Sequence, residues 1–156
     1  MRVHARALLA SLPGKIGTRE LAIVRERLVL DRGDCRVEKV ERSIGPGNVL
    51  LIVMEGQPVS EVVTGFGMKN VTAERVAGDA CDEAERYLKA NVPVGSHLAD
   101  QLLVPMALAG GGEFRTLPPT PHTLTNASVI RQFLDVPIAI EPETPDVCRI
   151  VVSKKD

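Results

Sequence analysis

Apolar and polar residues alternate at positions 3 to 9, which is the period of a half-buried strand. After the segment LPGKIG, Thr18 is the predicted N-cap of a helix in which apolar residues recur every three or four positions. This helix is predicted to bury Leu21, Val24 and Leu28 and to turn Arg19, Glu20, Arg25 and Arg27 towards solvent.

Three further strands are predicted before the next helix. They are CRVEKVE (35–41), NVLLIVME (48–55) and VSEVVTGFG (59–67), with turns at 45–47 and 56–58 between them. Thr72 is then the predicted cap of a longer helix, whose acidic residues Glu74, Asp79, Asp82 and Glu85 are expected to face water. The order β-α-β-β-β-α predicts a sheet layer with two helices, and 91–95 is its expected exit hinge.

The second half of the chain predicts a further α+β layer. A helix is expected over 97–109, and Gly110 to Gly112 should end it. A short strand EFRTL (113–117) and a proline-dense loop lead to a helix over 125–133. The strands VPIAIE (136–141) and VCRIVV (147–152) close the chain.

Composition narrows the functional classes. The 156 residues are 44% hydrophobic and 25% charged, as in a soluble globular domain, and the net charge of −1 argues against a broadly basic nucleic-acid-coating protein. Residues 1–42 nevertheless carry ten Lys/Arg against six Asp/Glu, which is compatible with a basic face or with an ordinary solvated helix face. With three Phe, one Tyr and no Trp, an aromatic base-stacking surface is not supported.

The cysteines and the N-terminus indicate a cytoplasmic location. Cys35, Cys81 and Cys148 are odd in number and widely spaced, so neither a zinc site nor a disulfide framework is predicted, and free buried thiols are expected. The apolar run of MRVHARALLASLPG is too short and too interrupted to span a membrane. We therefore expect no membrane partner.

His122 is the first candidate for chemistry. Three prolines precede it at positions 118, 119 and 121, and Thr123, Thr125 and Asn126 follow it with side chains that can start a helix. A histidine at a helix N-terminus is placed to meet a phosphate. The alternative is a loop histidine with a purely structural role.

Other candidates lie around the glycine triplet. Asp100 and Gln101 form a polar pair on an otherwise apolar helix, which fits either a site or a solvent-facing edge. His97 begins that helix and has the same two interpretations, whereas His4 is expected to be a strand surface residue. Gly110 to Gly112 could cradle a phosphate, but no Lys-Ser/Thr pair follows, so a helix C-cap is favoured.

The motifs of the second half occur together in a known family. The stretch HLADQLLVPMALAGGGEFRTLPPTPHTLTNASVIRQFL (97–134) resembles the C-terminal signature of RNA 3′-terminal phosphate cyclases. Upstream, GPGN (45–48) and the PVG before HLADQ resemble that family's insert domain and its return to the main domain. The resemblance implies an insert domain at 1–93 and, at 94–156, the C-terminal part of a catalytic domain built from repeated β-α-β-α-β-β units.

The same resemblance implies a reaction and its residues. The family converts an RNA 3′-phosphate end to a 2′,3′-cyclic phosphate at the expense of ATP, with a divalent metal, Mg or Mn. His122 is the implied nucleophile that carries AMP. The nucleotide site is implied to be lined by His97, Leu98, Ala99, Asp100 and Gln101. Asp100 is assigned to metal or phosphate-end chemistry, and Gln101 to hydrogen bonding.

The resemblance also leaves two alternatives. Family members are longer on the N-terminal side, and this sequence begins almost inside a strand, so we expect a piece of a larger assembly in which a separate chain supplies the missing half. Residues from about 95 onward should then expose a face meant for the missing units. The alternatives are a non-catalytic relative in RNA processing or ribosome assembly, and an inactive truncated product.

Overall fold

The computed structural model describes residues 1–57 and 59–153, and it divides into two compact units, Met1–Arg86 and Tyr87–Asp156. The first contains β1 (Arg2–Ala10), α1 (Lys15–Arg27), a 3-10 turn (Arg32–Asp34), β2 (Cys35–Val40), β3 (Gly47–Glu55), β4 (Glu61–Phe66) and most of α2 (Ala73–Ala90). The second contains α3 (Ser96–Ala109), β5 (Gly112–Thr116), α4 (Pro121–Leu134), β6 (Ile138–Thr144) and β7 (Val147–Val152). The predicted α+β class is confirmed. The units divide within α2, whereas the sequence placed a domain boundary after residue 93.

The first unit is built on a four-stranded sheet in the order β2-β1-β3-β4. β1 pairs parallel with β2 and antiparallel with β3, which sets Ala7 opposite Leu50 and Leu9 opposite Asn48. Since alternate residues of a strand share a face, these pairs lie on the buried side of the sheet. The predicted alternation of residues 3 to 9 is therefore confirmed.

Glycine lets α1 pack closely against this face. A Cβ at Gly17 would lie 2.9 Å from the Cβ of Ala7 and 3.2 Å from Val37, so only hydrogen fits there. In the same way, a Cβ at Gly65 of β4 would meet the side chain of Val76 on α2 at 3.0 Å. At these two positions glycine therefore allows a closer approach of helix and sheet than any other residue would.

Two predictions for α1 are wrong. The helix begins at Lys15 with Gly14 as its N-cap, and Thr18 lies inside it with its hydroxyl donating to the Gly14 carbonyl at 3.2 Å. Glu20 is 0% exposed rather than solvent-facing. Glu20 lies three residues after Gly17 and four before Val24, so it shares the helix face that these buried residues turn to the sheet.

Charged residues at the solvent-facing edge of α1 form ion pairs with acidic residues of α2 that are exposed, as predicted. Arg19 donates two hydrogen bonds to the Glu74 carboxylate, at 2.7 and 2.6 Å. Arg27 reaches both Glu85 and Asp82, with nitrogen-to-oxygen distances of 2.6 and 2.8 Å. Arg19 is exposed as predicted and Arg27 is half-buried, so these guanidinium groups form ion pairs at the surface of the unit.

The second unit has a three-stranded antiparallel sheet in the order β5-β7-β6. α3 ends at Gly110, whose φ of 89° is the left-handed conformation, so the predicted C-cap is confirmed. The helices and the sheet enclose a core of Leu103, Ala107, Ala127, Ile130, Ile138, Cys148, Ile150 and Val152.

The cysteines are free thiols, two of them buried (Cys81 and Cys148) and one half-buried (Cys35). Burial raises the pKa of the Cys81 thiol to about 11. Across residues 1–57 and 59–153, none of the helices combines the length and the apolar character that crossing a bilayer requires.

Candidate functional site

The N-terminus of α4 carries His122. Thr120 is the N-cap, and its hydroxyl oxygen accepts a hydrogen bond from the Thr123 N–H at 3.1 Å, while Pro121 occupies the first helical position. The helix therefore begins four residues before the predicted start at Thr125. His122 lies in the first turn, and it is exposed.

The charge around this turn favours an anion. The first turns of α3 and α4 contain no acidic residue, so the positive ends of both helix dipoles are not neutralised locally. The N-cap of α3 is Gly95, so no N-cap side chain caps this helix. The N-terminus of a helix attracts phosphate through its dipole, so either helix start is a favourable place for one.

Asp100 and Asn126 connect α3 with α4. The Asn126 amide donates from Nδ2 to the Asp100 backbone oxygen and to the Asp100 carboxylate, both at 3.0 Å. His122 lies four residues before Asn126, and His97 lies three residues before Asp100, so each histidine shares a helix face with one member of the pair. The contact between Asn126 and Asp100 therefore joins the two helix faces that carry the predicted histidines.

The segments that lead into α3 and α4 are joined by an isolated β-bridge. Val94, just before the N-cap of α3, pairs in parallel with Thr116, the last residue of β5. The chain then runs from Leu117 to the N-cap of α4, and the Leu117 carbonyl accepts from the Cys148 thiol at 3.3 Å. The Thr116 hydroxyl is buried, and no described residue is its hydrogen-bond partner.

The five consecutive residues 97–101 point in different directions, since successive side chains of a helix are rotated by about 100°. Ala99 is 2% exposed and faces the core, whereas His97 and Gln101 are exposed and Leu98 and Asp100 are half-buried. Asp100 is the member that the structure joins to α4. The proposed roles of all five stay predictions.

Asn126 was absent from the predicted site. It is 26 residues from Asp100, and its only sequence signal was its place at the end of the HTLTN motif. An asparagine in that position fits a helix start as well as a site, so local pattern could not reveal its partner.

Asp100 fits a metal site in part. Magnesium is commonly bound through one or two carboxylates, with waters and substrate phosphates completing the shell. Within residues 1–57 and 59–153, there is no cluster of three or more His, Cys, Asp or Glu side chains arranged to hold a metal. A metal ion bound by Asp100 would therefore need its other ligands from a nucleotide or from another part of the protein.

The family profile and the curated relatives that match this chain carry the same description. The sequence profile of the family described as RNA 3′-terminal phosphate cyclase matches residues 16–140. The chain is similar to the RNA 3′-terminal phosphate cyclases of Salmonella agona (41% identity, 99% of this chain and 44% of the relative) and Ectopseudomonas mendocina (42%, covering 94% and 43%). It is also similar to that of Koribacter versatilis, with 39% identity over 100% of this chain and 44% of the relative. The chain thus spans less than half the length of these curated relatives.

Proposed function

The chain belongs to the RNA 3′-terminal phosphate cyclase family, and from this membership we propose that it carries the adenylylated histidine of an enzyme that cyclises RNA 3′-phosphate ends with ATP. The observation that carries the proposal is the exposed position of His122 on the first turn of α4, within the matched region. The whole reaction is proposed for an assembly that includes the part of the relatives not covered here. We also propose that this assembly acts in the cytoplasm.

The first step is nucleophilic attack by His122 on ATP. A lone pair of a neutral imidazole nitrogen forms a bond to the α-phosphorus, and the bond from that phosphorus to the bridging oxygen breaks, which releases pyrophosphate. Exposure of His122 gives an α-phosphate access to the ring.

The second and third steps transfer AMP and close the ring. An oxygen of the RNA 3′-phosphate attacks the phosphorus held by the histidine, the nitrogen–phosphorus bond breaks, and the imidazole is regenerated. The neighbouring 2′-hydroxyl then attacks the activated 3′-phosphate, loses its proton and displaces AMP. The products are a 2′,3′-cyclic phosphate and AMP, so atoms and charge balance.

Asp100 and Asn126 are proposed to position this chemistry. The Asn126 amide spans the backbone and the carboxylate of Asp100, which leaves the second carboxylate oxygen outside this hydrogen bond. A divalent cation bound with ATP would neutralise phosphate charge near that carboxylate. His97, Leu98, Ala99 and Gln101 are proposed to line the nucleotide site through their backbone or side chains.

Exposed apolar side chains on α3 and α4 support the proposal that a further segment packs on this unit. Leu108 is 70% exposed and Phe133 is 81% exposed, at the C-terminal ends of α3 and α4. Large exposed apolar side chains on neighbouring elements are typical of a surface that another segment covers. We propose that the portion of the cyclase absent from this chain, supplied in the same or a separate polypeptide, packs on it.

Adenylylation tests the function directly. The chain is incubated with Mg²⁺ and ATP labelled at the α-phosphate, alone and with the uncovered portion of the Salmonella agona relative. Label that is acid-labile, is retained through denaturation and disappears in His122→Ala is the expected result. Ser128→Ala, at another exposed position of α4, is the matched control and should keep the label.

The outcomes separate the alternatives. Label only in the mixture would support a cyclase completed by a second segment. Label on the chain, with no cyclisation of a 3′-phosphorylated oligoribonucleotide, would favour a relative that is adenylylated but does not cyclise RNA. No His122-dependent label in either preparation would contradict the proposal and favour a non-catalytic RNA-processing protein or an inactive product.

A further inference from the structure

The first unit contains a cavity of about 440 Å³ between α1, the start of β3 and the loop that follows β4. This size lies within the range of small-molecule binding pockets. Its lining is mostly apolar, and the polar exceptions are Glu20, Asn48 and Lys69. All of these residues lie in Met1–Arg86, whereas His122 belongs to the other unit.

Glu20 and Asn48 line this cavity, and each has one side-chain oxygen with unused hydrogen-bonding capacity. The Asn48 Nδ2 donates to Glu20 Oε1 at 2.5 Å, and the two residues are 7% and 0% exposed. The remaining oxygens, Glu20 Oε2 and Asn48 Oδ1, are buried and receive no hydrogen bond from the described part of the chain. Buried polar atoms are nearly always paired, so two orphans on one pair of cavity-lining residues indicate an external partner.

The position of Asn48 is held from both sides. Its backbone oxygen accepts from the Gly67 N–H at 2.9 Å, and a Cβ at Gly67 would lie 2.7 Å from the Asn48 Cβ. Gly67 therefore lets the loop after β4 pack directly on Asn48. The free oxygens are preorganised, since the Glu20 contact and this loop together leave Asn48 little freedom.

The protonation state of Glu20 decides which ligand edge fits. Burial raises the pKa of Glu20, and the hydrogen bond from Asn48 opposes this effect. When the carboxyl is neutral, Oε2 can donate a proton while Asn48 Oδ1 accepts one. A ring nitrogen beside an exocyclic amino group supplies the matching acceptor and donor.

We propose that this cavity binds a heteroaromatic ring with an amidine edge, as in cytosine or adenine nucleotides, with Glu20 and Asn48 reading that edge. The apolar lining, which includes Leu12, Ile16, Met68 and Val76, suits the faces of a planar ring. Lys69 is exposed and lines the same cavity, so it is available to a phosphate attached to the ligand. The unit thus recognises a base, separately from the proposed chemistry of His122.

The test compares ligands that differ only at the edge. Cytidine 5′-monophosphate and uridine 5′-monophosphate are titrated into the chain, and binding is followed by backbone amide shifts in NMR. The cytidine nucleotide should bind at least about tenfold more tightly, because the uracil edge reverses the donor and acceptor and leaves buried groups unpaired. The amides of Gly67, Met68 and Lys69 should move with the titration.

Variants test each contact. Glu20→Leu should abolish the preference for cytosine, whereas Glu20→Gln, whose amide can still donate, should retain it. Lys69→Gln should weaken the monophosphate but leave cytidine itself unchanged, and this surface change should not affect folding. His122→Ala should leave all of these affinities unchanged.

Three results would overturn the proposal: equal affinities of the two nucleotides, tighter binding of the uracil nucleotide, or no movement of the 67–69 amides at millimolar ligand. If Glu20→Leu does not fold, the ligand comparison on the natural chain and the Lys69→Gln variant still decide. Adenylylation at His122 is unaffected by either result, so the two proposals can fail independently.

Discussion

The Asn126 amide bridges two oxygens of Asp100, one from the backbone and one from the side chain, at 3.0 Å each. Asn126 belongs to α4 and Asp100 to α3, so the hydrogen-bond partner of the Asn126 amide lies on the other helix. The relative position of the two helices in this unit is therefore specified by a hydrogen bond as well as by the apolar core.

Removal of this bridge should weaken the second unit. For Asn126→Ala we expect a loss of about 1 to 3 kcal/mol in the free energy of unfolding, since two hydrogen bonds of about 0.5 to 1.5 kcal/mol each disappear. Asn126→Asp should cost at least as much, because a second carboxylate would face Asp100. Urea denaturation measures both, with Ser128→Ala as the control; an unchanged midpoint for Asn126→Asp would contradict this role.

The two glycines within α1 and α2 should respond to alanine with opposite signs. At Gly17 a new methyl group meets Ala7 at 2.9 Å, so Gly17→Ala should destabilise the chain by about 1 to 3 kcal/mol. At Gly78 nothing lies within 4 Å of the added Cβ, and Gly78→Ala should stabilise by about 0.5 to 1 kcal/mol through helix propensity. Thermal or urea unfolding of the pair checks both signs, and equal shifts would show that the close packing of α1 is wrong.

Burial of Glu20 predicts a pH dependence of stability. Because the folded pKa is raised, the folded state holds the proton more tightly than the unfolded state. The contribution is fully present below the unfolded pKa, near 4.5, and is lost as the pH rises through the folded pKa. The slope cannot exceed about 1.4 kcal/mol per pH unit for one proton.

Glu20→Gln isolates this contribution, since other titrating groups cancel in the comparison. The natural chain should lose stability relative to the variant as the pH rises from 4 towards neutrality. Urea unfolding at a series of pH values measures the difference. A difference that is constant with pH, or that favours the natural chain more at high pH, would contradict the burial of the carboxyl.

The buried thiols should resist alkylation. With the Cys81 pKa raised to about 11 by burial, almost no thiolate is present at pH 8, and the pKa of Cys148 is also raised by its burial. Burial raises the pKa of Cys35 as well, but its side chain is only half-buried. Iodoacetamide at pH 8 should therefore modify Cys35 first, and all three cysteines should react quickly only in guanidinium chloride. Mass spectrometry of timed samples identifies each site. Rapid modification of Cys81 in the folded chain would contradict its position in the core.

Much of the local structure was predictable because periodicity records burial. The alternation in β1, the continuous apolar run of β3 and the glycine C-cap of α3 each follow from neighbouring residues, and the structure confirms them. Two helix starts were less accurate, because a threonine is favoured at an N-cap but also occurs inside helices. Thr18 and Thr125 lie inside their helices, and the capping residues are Gly14 and Thr120.

In the candidate site, too, features given by local motifs were predictable and a contact between distant residues was not. His122, Asp100 and the region between them were selected from motifs, since a family signature is a property of sequence order. The partner of Asp100 was not, because Asn126 is 26 residues away and meets it only when α3 and α4 pack together.

The sequence by itself determined the α+β class, most elements and the family, and it singled out the histidine that we propose for adenylyl transfer, because these depend on local periodicity and on motifs in a fixed order. Only the tertiary structure decided that Glu20 is buried against Asn48, that Arg27 pairs with α2 and that Asn126 binds Asp100. Each of these contacts joins residues at least 26 positions apart. The reason is that a charged or amide side chain is equally suited to water and to a distant partner, and only packing brings the partner within hydrogen-bonding distance.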